Sequence, residues 1–330
     1  MKRGLRIALT LAIVVMIASQ VDLSVVRNLA ERVAPLWLGA ALAVLFGVRV
    51  LVAWRFKVLL GALGIDRSFG SLLQVTLVSN ALGQMLPTGI GQDVIRGHHV
   101  VRSHGRGVDV SATIIQERLV GIGSMLVVGL IASLLWLEGP LQVWTASGIV
   151  AVGGVFLAAF AVARSWSRRG GELPAFLRLP ERARGVLIDV VYAVADTGRL
   201  GPVFAFVFII SLGVQLARCV VFWCLYAALG SPVSLVHMFA FVPLVFLLTS
   251  LPISLAGIGV REAALIALVG QLGIGAEVNV AAGVAFQLLV LVMLLPGLVL
   301  YGVRGLGPPG PSPEQGERVA LSSARTPAKP

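Results

Sequence analysis

Long apolar blocks separated by short charged ones run the length of this 330-residue chain. Leu5–Val21, Leu36–Trp54, Ser111–Leu137, Val143–Ala163, Pro202–Leu229 and Val278–Val303 are each of helix-spanning length, given that about 20 apolar residues cross a hydrocarbon core. Alternating segments of about ten residues, the mark of a transmembrane barrel, are absent. The pattern therefore predicts an all-α polytopic membrane protein with six full spans. Lys2, Arg3 and Arg6 around the first block also suit a signal peptide with a weak cleavage site near Ala18–Gln20. The many spans that follow favour an uncleaved helix. Two amphipathic stretches complete the pattern. Val25, Val26, Leu29 and Val33 predict a short interfacial helix outside. Val186, Leu187, Val190, Val191 and Val194, with Asp189 and Asp196 opposite, predict a helix on the inner leaflet within the loop 164–200.

Two further apolar segments, Phe69–Leu86 and Leu235–Ile253, run into the same motif. The first leads into Leu86-Pro87-Thr88-Gly89-Ile90-Gly91, with Arg96 nine positions after the proline. The second ends in Leu251-Pro252, followed by Gly257-Ile258-Gly259, with Arg261 again nine positions after its proline. The prolines lie 165 residues apart, half the chain. Proline lacks a backbone donor and paired glycines permit turns that other residues resist, so each copy is predicted to break a helix and restart it. Gly/Pro-interrupted apolar segments at matching places in two halves are the sequence sign of an inverted-repeat transporter with a midplane site. The expectation is two re-entrant hairpins, broken at Pro87–Gly91 and Ser254–Gly259, whose breaks meet near the midplane. Freed backbone groups at that depth need a protein-lined or water-filled cavity.

Charge orients this arrangement. Hydrophobic residues make up 58% of the chain and charged ones 12%, and the mean hydropathy is +0.96. The net charge of +11 is mostly arginine, clustered in a few loops, which reads as membrane topology and excludes a nucleic-acid role. Arg55, Lys57 and Arg67, the segment from Arg96 to Arg106, the run Arg164 to Arg184 and the tail from Arg304 are all expected in the cytoplasm, as is the N-terminus, in the cell membrane. Arg49 is close enough to Arg55 to snorkel to the same interface. Residues 1–303 thus form one membrane-embedded unit, and the Pro-, Gly- and Ser-rich 304–330 is expected to be a disordered cytoplasmic tail. Cys219 and Cys224 share one apolar run and are read as packing residues.

Chemistry concentrates at the two motifs. Each Gly-x-Gly precedes a helix start with an acid in or near the first turn, Asp93 or Glu262, and an arginine beside it, Arg96 or Arg261. Helix N-termini attract anions, and a guanidinium adds a planar fork suited to phosphate. The plainer alternative is that the acids complement the helix dipole and the arginines pair with them. Glu117 and Arg118 are adjacent on a helix and so are expected to pair with different partners. Arg218, isolated inside a span, needs a partner, for which Glu262 and Asp93 are available; such a pair is structural or functional. No glycine-rich loop is followed by lysine, which excludes a Walker-type ATP site, and no cofactor or metal site is indicated by His98, His99 and His104.

Asn80 with Pro87, Gly91, Asp93 and Arg96, then Glu117-Arg118 with Gly121, then Pro252 with Ser254, Gly257, Gly259 and Arg261-Glu262, and finally Leu295-Pro296-Gly297, resemble the lysylphosphatidylglycerol synthase transmembrane-region family of flippase-like proteins, over roughly residues 5 to 303. Gly91-Gln92-Asp93 departs from that family's usual Gly-Gly-Asp. The resemblance implies a membrane domain that flips a phospholipid or serves a glycolipid or isoprenoid-lipid pathway; taken with the motif chemistry, the expectation is an anionic phospho- or glycolipid headgroup bound by these residues together with Gly89 and Arg218. No transferase domain is expected after residue 303. The expectation is a lipid transporter and not an enzyme, with membrane lipids as its partners. Alternatives are a non-catalytic partner of a separate glycosyl- or aminoacyltransferase, and a membrane-embedded transferase using Glu117 or Glu262 as base.

Overall fold

A computed structural model describes residues 33–84, 91–104, 107–168, 201–250, 257 and 259–305. The predicted first helix, both interfacial helices, the tail, Pro87 with Gly89 and Pro252 lie outside the described residues. The described residues are helical throughout, and five segments are long and apolar enough to cross a membrane. In chain order the helices are α1 (Pro35–Ala62), α2 (Phe69–Gly83), α3 (Gly91–His104), α4 (Gly107–Trp136), α5 (Gly139–Arg168), α6 (Gly201–Ala228), α7 (Leu235–Thr249), α8 (Val260–Leu268), a 3-10 turn (Val269–Leu272), α9 (Ala276–Val292) and α10 (Leu295–Arg304).

Local chemistry sets the helix ends. Pro35 opens α1, where a missing N–H costs nothing, and Gly64, at φ 72°, closes it in the left-handed region. The Ser68 hydroxyl accepts from the Ser71 amide at 3.4 Å to start α2. Gly259, at φ 83°, opens α8, and the Glu262 carboxylate reaches back to accept from its N–H at 2.6 Å. That one contact gives the Gly259 amide an acceptor where the helix restarts after the second motif.

Two pairs of helices match in length and spacing between the halves. α1 and α6 are 28 residues each, and Gly201 follows Pro35 by 166 positions. α2 and α7 are 15 residues each, and Leu235 follows Phe69 by the same 166. α1 and α6 pack along their length and run antiparallel. The Ala34 amide donates to Ala228 O at 3.0 Å, Trp37 meets Trp223 edge to face, and Trp54 meets Phe206 the same way at the other end. α2 and α3 form an antiparallel pair. A Cβ on Gly83 would strike the backbone of Gln92, and Leu72 shares an apolar cluster with Val100. α7 packs on α4, α6 and α8, and α8 on α9. The core centres on α6, where Phe222 stacks on Phe286 at 4.9 Å and both rings meet Phe246 edge to face. Cys219 and Cys224 are free thiols buried on the same helix, as packing residues should be.

Three boundaries differ from the sequence expectation. α1 continues to Ala62, eight residues past the predicted end at Trp54, which draws Arg55 into the helix body. The first break is bounded at Gly83 and Gly91, with residues 85–90 outside the described set. The last span is two helices, because Pro296 cannot donate to the turn before it; the chain bends at Met293–Leu294 and α10 then lies on α2, with Gly297 against the Leu77 carbonyl. Much of α5 faces outward, with Val143, Trp144, Val155, Leu157 and Val162 exposed, a surface suited to lipid.

Candidate functional site

The side chains singled out in the first motif converge on one buried network. Glu117, 3% exposed on α4, accepts from Arg55 of α1 through Nε at 3.1 Å and Nη2 at 2.9 Å. Its other oxygen takes a short contact from Arg96 Nη2 on α3. Arg96 also donates to Asp93 Oδ1 at 3.1 Å, and Asp93 Oδ2 accepts from Arg118 Nε at 2.8 Å. The Arg96 guanidinium lies over the Phe56 ring at 4.2 Å, and Arg55 Nη1 donates to Ser211 Oγ on α6 at 2.9 Å. Glu117 and Arg118 therefore do serve different partners. The set holds three guanidinium groups and two carboxylates, an excess of one positive charge. Arg96, Asp93 and Glu117 are nearly sealed, whereas the Arg118 side chain is 46% exposed at the rim.

Helix geometry explains the convergence. Asp93 and Arg96 are one turn apart at the start of α3, so both face α4, and the acid near the helix start also complements the dipole. Gly121 on α4 leaves room for the Arg55 guanidinium, whose Nη1 would lie 3.8 Å from a Cβ there. Asn80, buried on α2, keeps its Nδ2 without a hydrogen-bond partner among the described residues. Gly91 is the first residue of α3 and is buried.

The second motif is built differently. Arg261, at the start of α8, donates to Gln287 Oε1 on α9 at 3.1 Å and lies over Phe286 at 4.8 Å. Glu262 holds the Gly259 amide, and its side chain fills the space that a Cβ on Gly283 would need. Gly257, at φ 79°, lies against Thr249 and Arg261, so a Cβ there would crowd both. The position in the second half therefore carries an amide and a ring where the first half carries carboxylates.

Arg218 is a correction. Neither Glu262 nor Asp93 pairs with it, because both are committed elsewhere; its guanidinium instead lies over the Phe246 ring at 4.8 Å. Phe246 and Phe286 touch, so Arg218 and Arg261 flank one aromatic cluster. Sequence reasoning missed Arg55, Ser211, Phe246, Phe286 and Gln287. Arg55 had a signal, a charge beside an apolar run, but it was read as a boundary marker; a ring beneath a cation leaves no spacing to detect.

A bundle of long apolar helices with a buried arginine–carboxylate network defines a polytopic α-helical membrane protein. The chain belongs to the family described as lysylphosphatidylglycerol synthase TM region, whose family model matches residues 4–297. No curated protein matches the chain.

Proposed function

We propose that this protein moves or presents an anionic membrane lipid, its headgroup held at a midplane site between two re-entrant hairpins of an inverted repeat. The carrying observation is the pair of guanidinium groups best placed to meet a ligand: Arg118, the cation in excess at the half-exposed rim of the first network, and Arg261, held by an amide and a ring at the helix that restarts after the second motif. Ionisable groups inside a membrane are costly and mark ligand pathways by default, and an excess of cation calls for an anion. The inverted arrangement is supported by α1 and α6, which hold equivalent places in the two halves yet run antiparallel. The arginine bias places the segment after α3 and both termini in the cytoplasm of a cell membrane.

In this proposal the roles divide by exposure. Arg118, half exposed at the rim of the first network, and Arg261, which rests on an amide and a ring, meet the headgroup phosphate. Arg96, enclosed by Glu117, Asp93 and Phe56, acts through them by fixing the network. Asn80, Gly91, Gly257 and Gly259 shape the approach, and Glu262 sets the start of α8.

The test is reconstitution of the purified protein alone into vesicles carrying fluorescent, headgroup-intact phosphatidylglycerol. Loss of signal to a membrane-impermeant quencher should proceed past the outer-leaflet half only when protein is present. Arg118→Gln should slow it by about tenfold, the effect of losing one charge-assisted hydrogen bond to the ligand. Vesicles with protein that behave like empty ones would overturn the proposal.

A further inference from the structure

The α1–α6 seam carries a polar stripe that neither motif explains. Ser211, Gln215 and Arg218 follow one another at helical spacing on one face of α6. The Ser211 hydroxyl accepts from Arg55 across the seam, so the face looks at α1. Arg49 lies six residues before Arg55 on α1, and the antiparallel register that sets Leu51 against Gly213 brings it level with this stretch of α6. Both lie deep in their helices: Arg49 is the fifteenth of the 28 residues of α1 and Arg218 the eighteenth of the 28 of α6.

These groups are poorly satisfied by protein. Gln215 is 1% exposed, yet among the described residues both its Nε2 and its Oε1 lack a hydrogen-bond partner. Arg49 Nε is enclosed and also lacks one. No carboxylate pairs with Arg49 or Arg218 among the described residues. The Phe246 ring supports one face of Arg218, but a ring face does not accept the in-plane N–H groups, which point outward around its edge. Like charges near each other at depth repel, and buried donors without acceptors cost free energy.

We propose that Arg49, Gln215 and Arg218 form an anion site that takes phosphate oxygens, built where the α1–α6 seam meets the aromatic cluster that also carries Arg261. Two guanidinium forks and one amide donor match the several acceptor oxygens of a phosphate, either the phosphodiester of a lipid headgroup or the free ion. The site does not depend on lipid movement: it fills or stays empty whether or not headgroups cross the membrane.

Thermal unfolding of delipidated protein in detergent tests it, with phosphatidylglycerol or inorganic phosphate as the added probe. At least one should raise the unfolding temperature, and Arg49→Gln and Arg218→Gln should each weaken that effect by about tenfold or more in half-saturating concentration. A shift with phosphatidylglycerol alone assigns the site to a lipid phosphodiester; a shift with both assigns it to phosphate itself. Without any probe, Arg218→Gln should unfold at the same temperature as the parent or higher, because an uncompensated charge is gone. Arg218→Lys keeps the charge and loses the fork, so its half-saturation should fall between the two. Gln215→Leu, which keeps the side-chain volume, should weaken the shift without lowering the probe-free unfolding temperature. In an Arg118→Gln, Arg261→Gln background, which removes the contacts of the proposed headgroup site, a shift that survives both Arg49→Gln and Arg218→Gln, or no shift with either probe, overturns the proposal.

Discussion

Glu117→Gln is the most informative single change in the first network. It preserves shape and removes one charge, and two guanidinium groups lose their counter-ion together: Arg55, bound through Nε at 3.1 Å and Nη2 at 2.9 Å, and Arg96, bound to the other oxygen. The local balance moves from three cations and two anions to three and one. Breaking a buried pair by removing one partner costs ~3 to 5 kcal/mol, chiefly because the other charge stays buried. At about 2 to 4 °C per kcal/mol for a chain of a few hundred residues, the unfolding temperature should fall on the order of 6 to 20 °C. The assay is thermal unfolding of purified protein in detergent, with membrane expression held equal. Adding Arg96→Gln should recover part of the loss, since Arg55 then remains the one cation without its acid. The exposed Glu277→Gln should change stability by no more than about 0.5 kcal/mol. A Glu117→Gln protein as stable as the parent would refute the reasoning, because it would mean that Arg55 and Arg96 do not rely on this carboxylate.

Other expectations test the packing around that network and the second half. Tyr226→Phe leaves Asn279 Oδ1, which accepts from the Tyr226 hydroxyl at 2.6 Å in the core, without its donor; a loss of ~1 to 3 kcal/mol should appear in the same melt. Gly297→Ala drives a methyl group into the Leu77 carbonyl where α10 crosses α2, so detergent-extracted protein should show reduced monodispersity in gel filtration. Gly257→Ala combines a φ of 79° with crowding by Thr249 at 3.0 Å and should cost more than the ~1 kcal/mol of the backbone strain alone, read as a lowered unfolding temperature.

Periodicity and punctuation made the bundle legible, but not its charge partners. The long apolar runs place α4, α5 and α6 within about five residues at each end, and the start of α1 within one, because a membrane span needs little more than length and hydrophobicity. The repeated Pro/Gly motif located the helix that starts at Gly91 and the one that starts at Val260, since those residues act on the backbone directly. Glu117 and Arg118 were readable as partners of different groups because adjacent helical residues diverge. Pro296 carried the same kind of signal as the motif prolines, yet the surrounding apolar run hid it. Arg55 was missed because a helix can run well past the membrane-length window, and Arg218 because its partner is a ring from another element, a contact set by tertiary packing alone.

The two halves share lengths, spacing and a Pro/Gly break, so their difference in charge is the more telling comparison. In the first half the arginine nine residues after the proline meets two carboxylates, and a third guanidinium is tied in through Ser211 to the opposite half. In the second half the corresponding arginine meets an amide oxygen and a phenyl ring, with Arg218 on a neighbouring ring of the same cluster. An ion network with several charged partners resists rearrangement, because moving any member leaves another charge buried and unpaired. A guanidinium held by a ring and an amide, with one neighbouring carboxylate, can turn toward an incoming anion at smaller cost than one bonded directly to two carboxylates. The first half is thereby suited to hold the bundle together and the second to respond to ligand. That division would show as slow amide exchange in α3 and α4 with or without phosphatidylglycerol, and as ligand-dependent slowing in α8. Equal ligand-dependent slowing in both halves would remove the asymmetry from the mechanism.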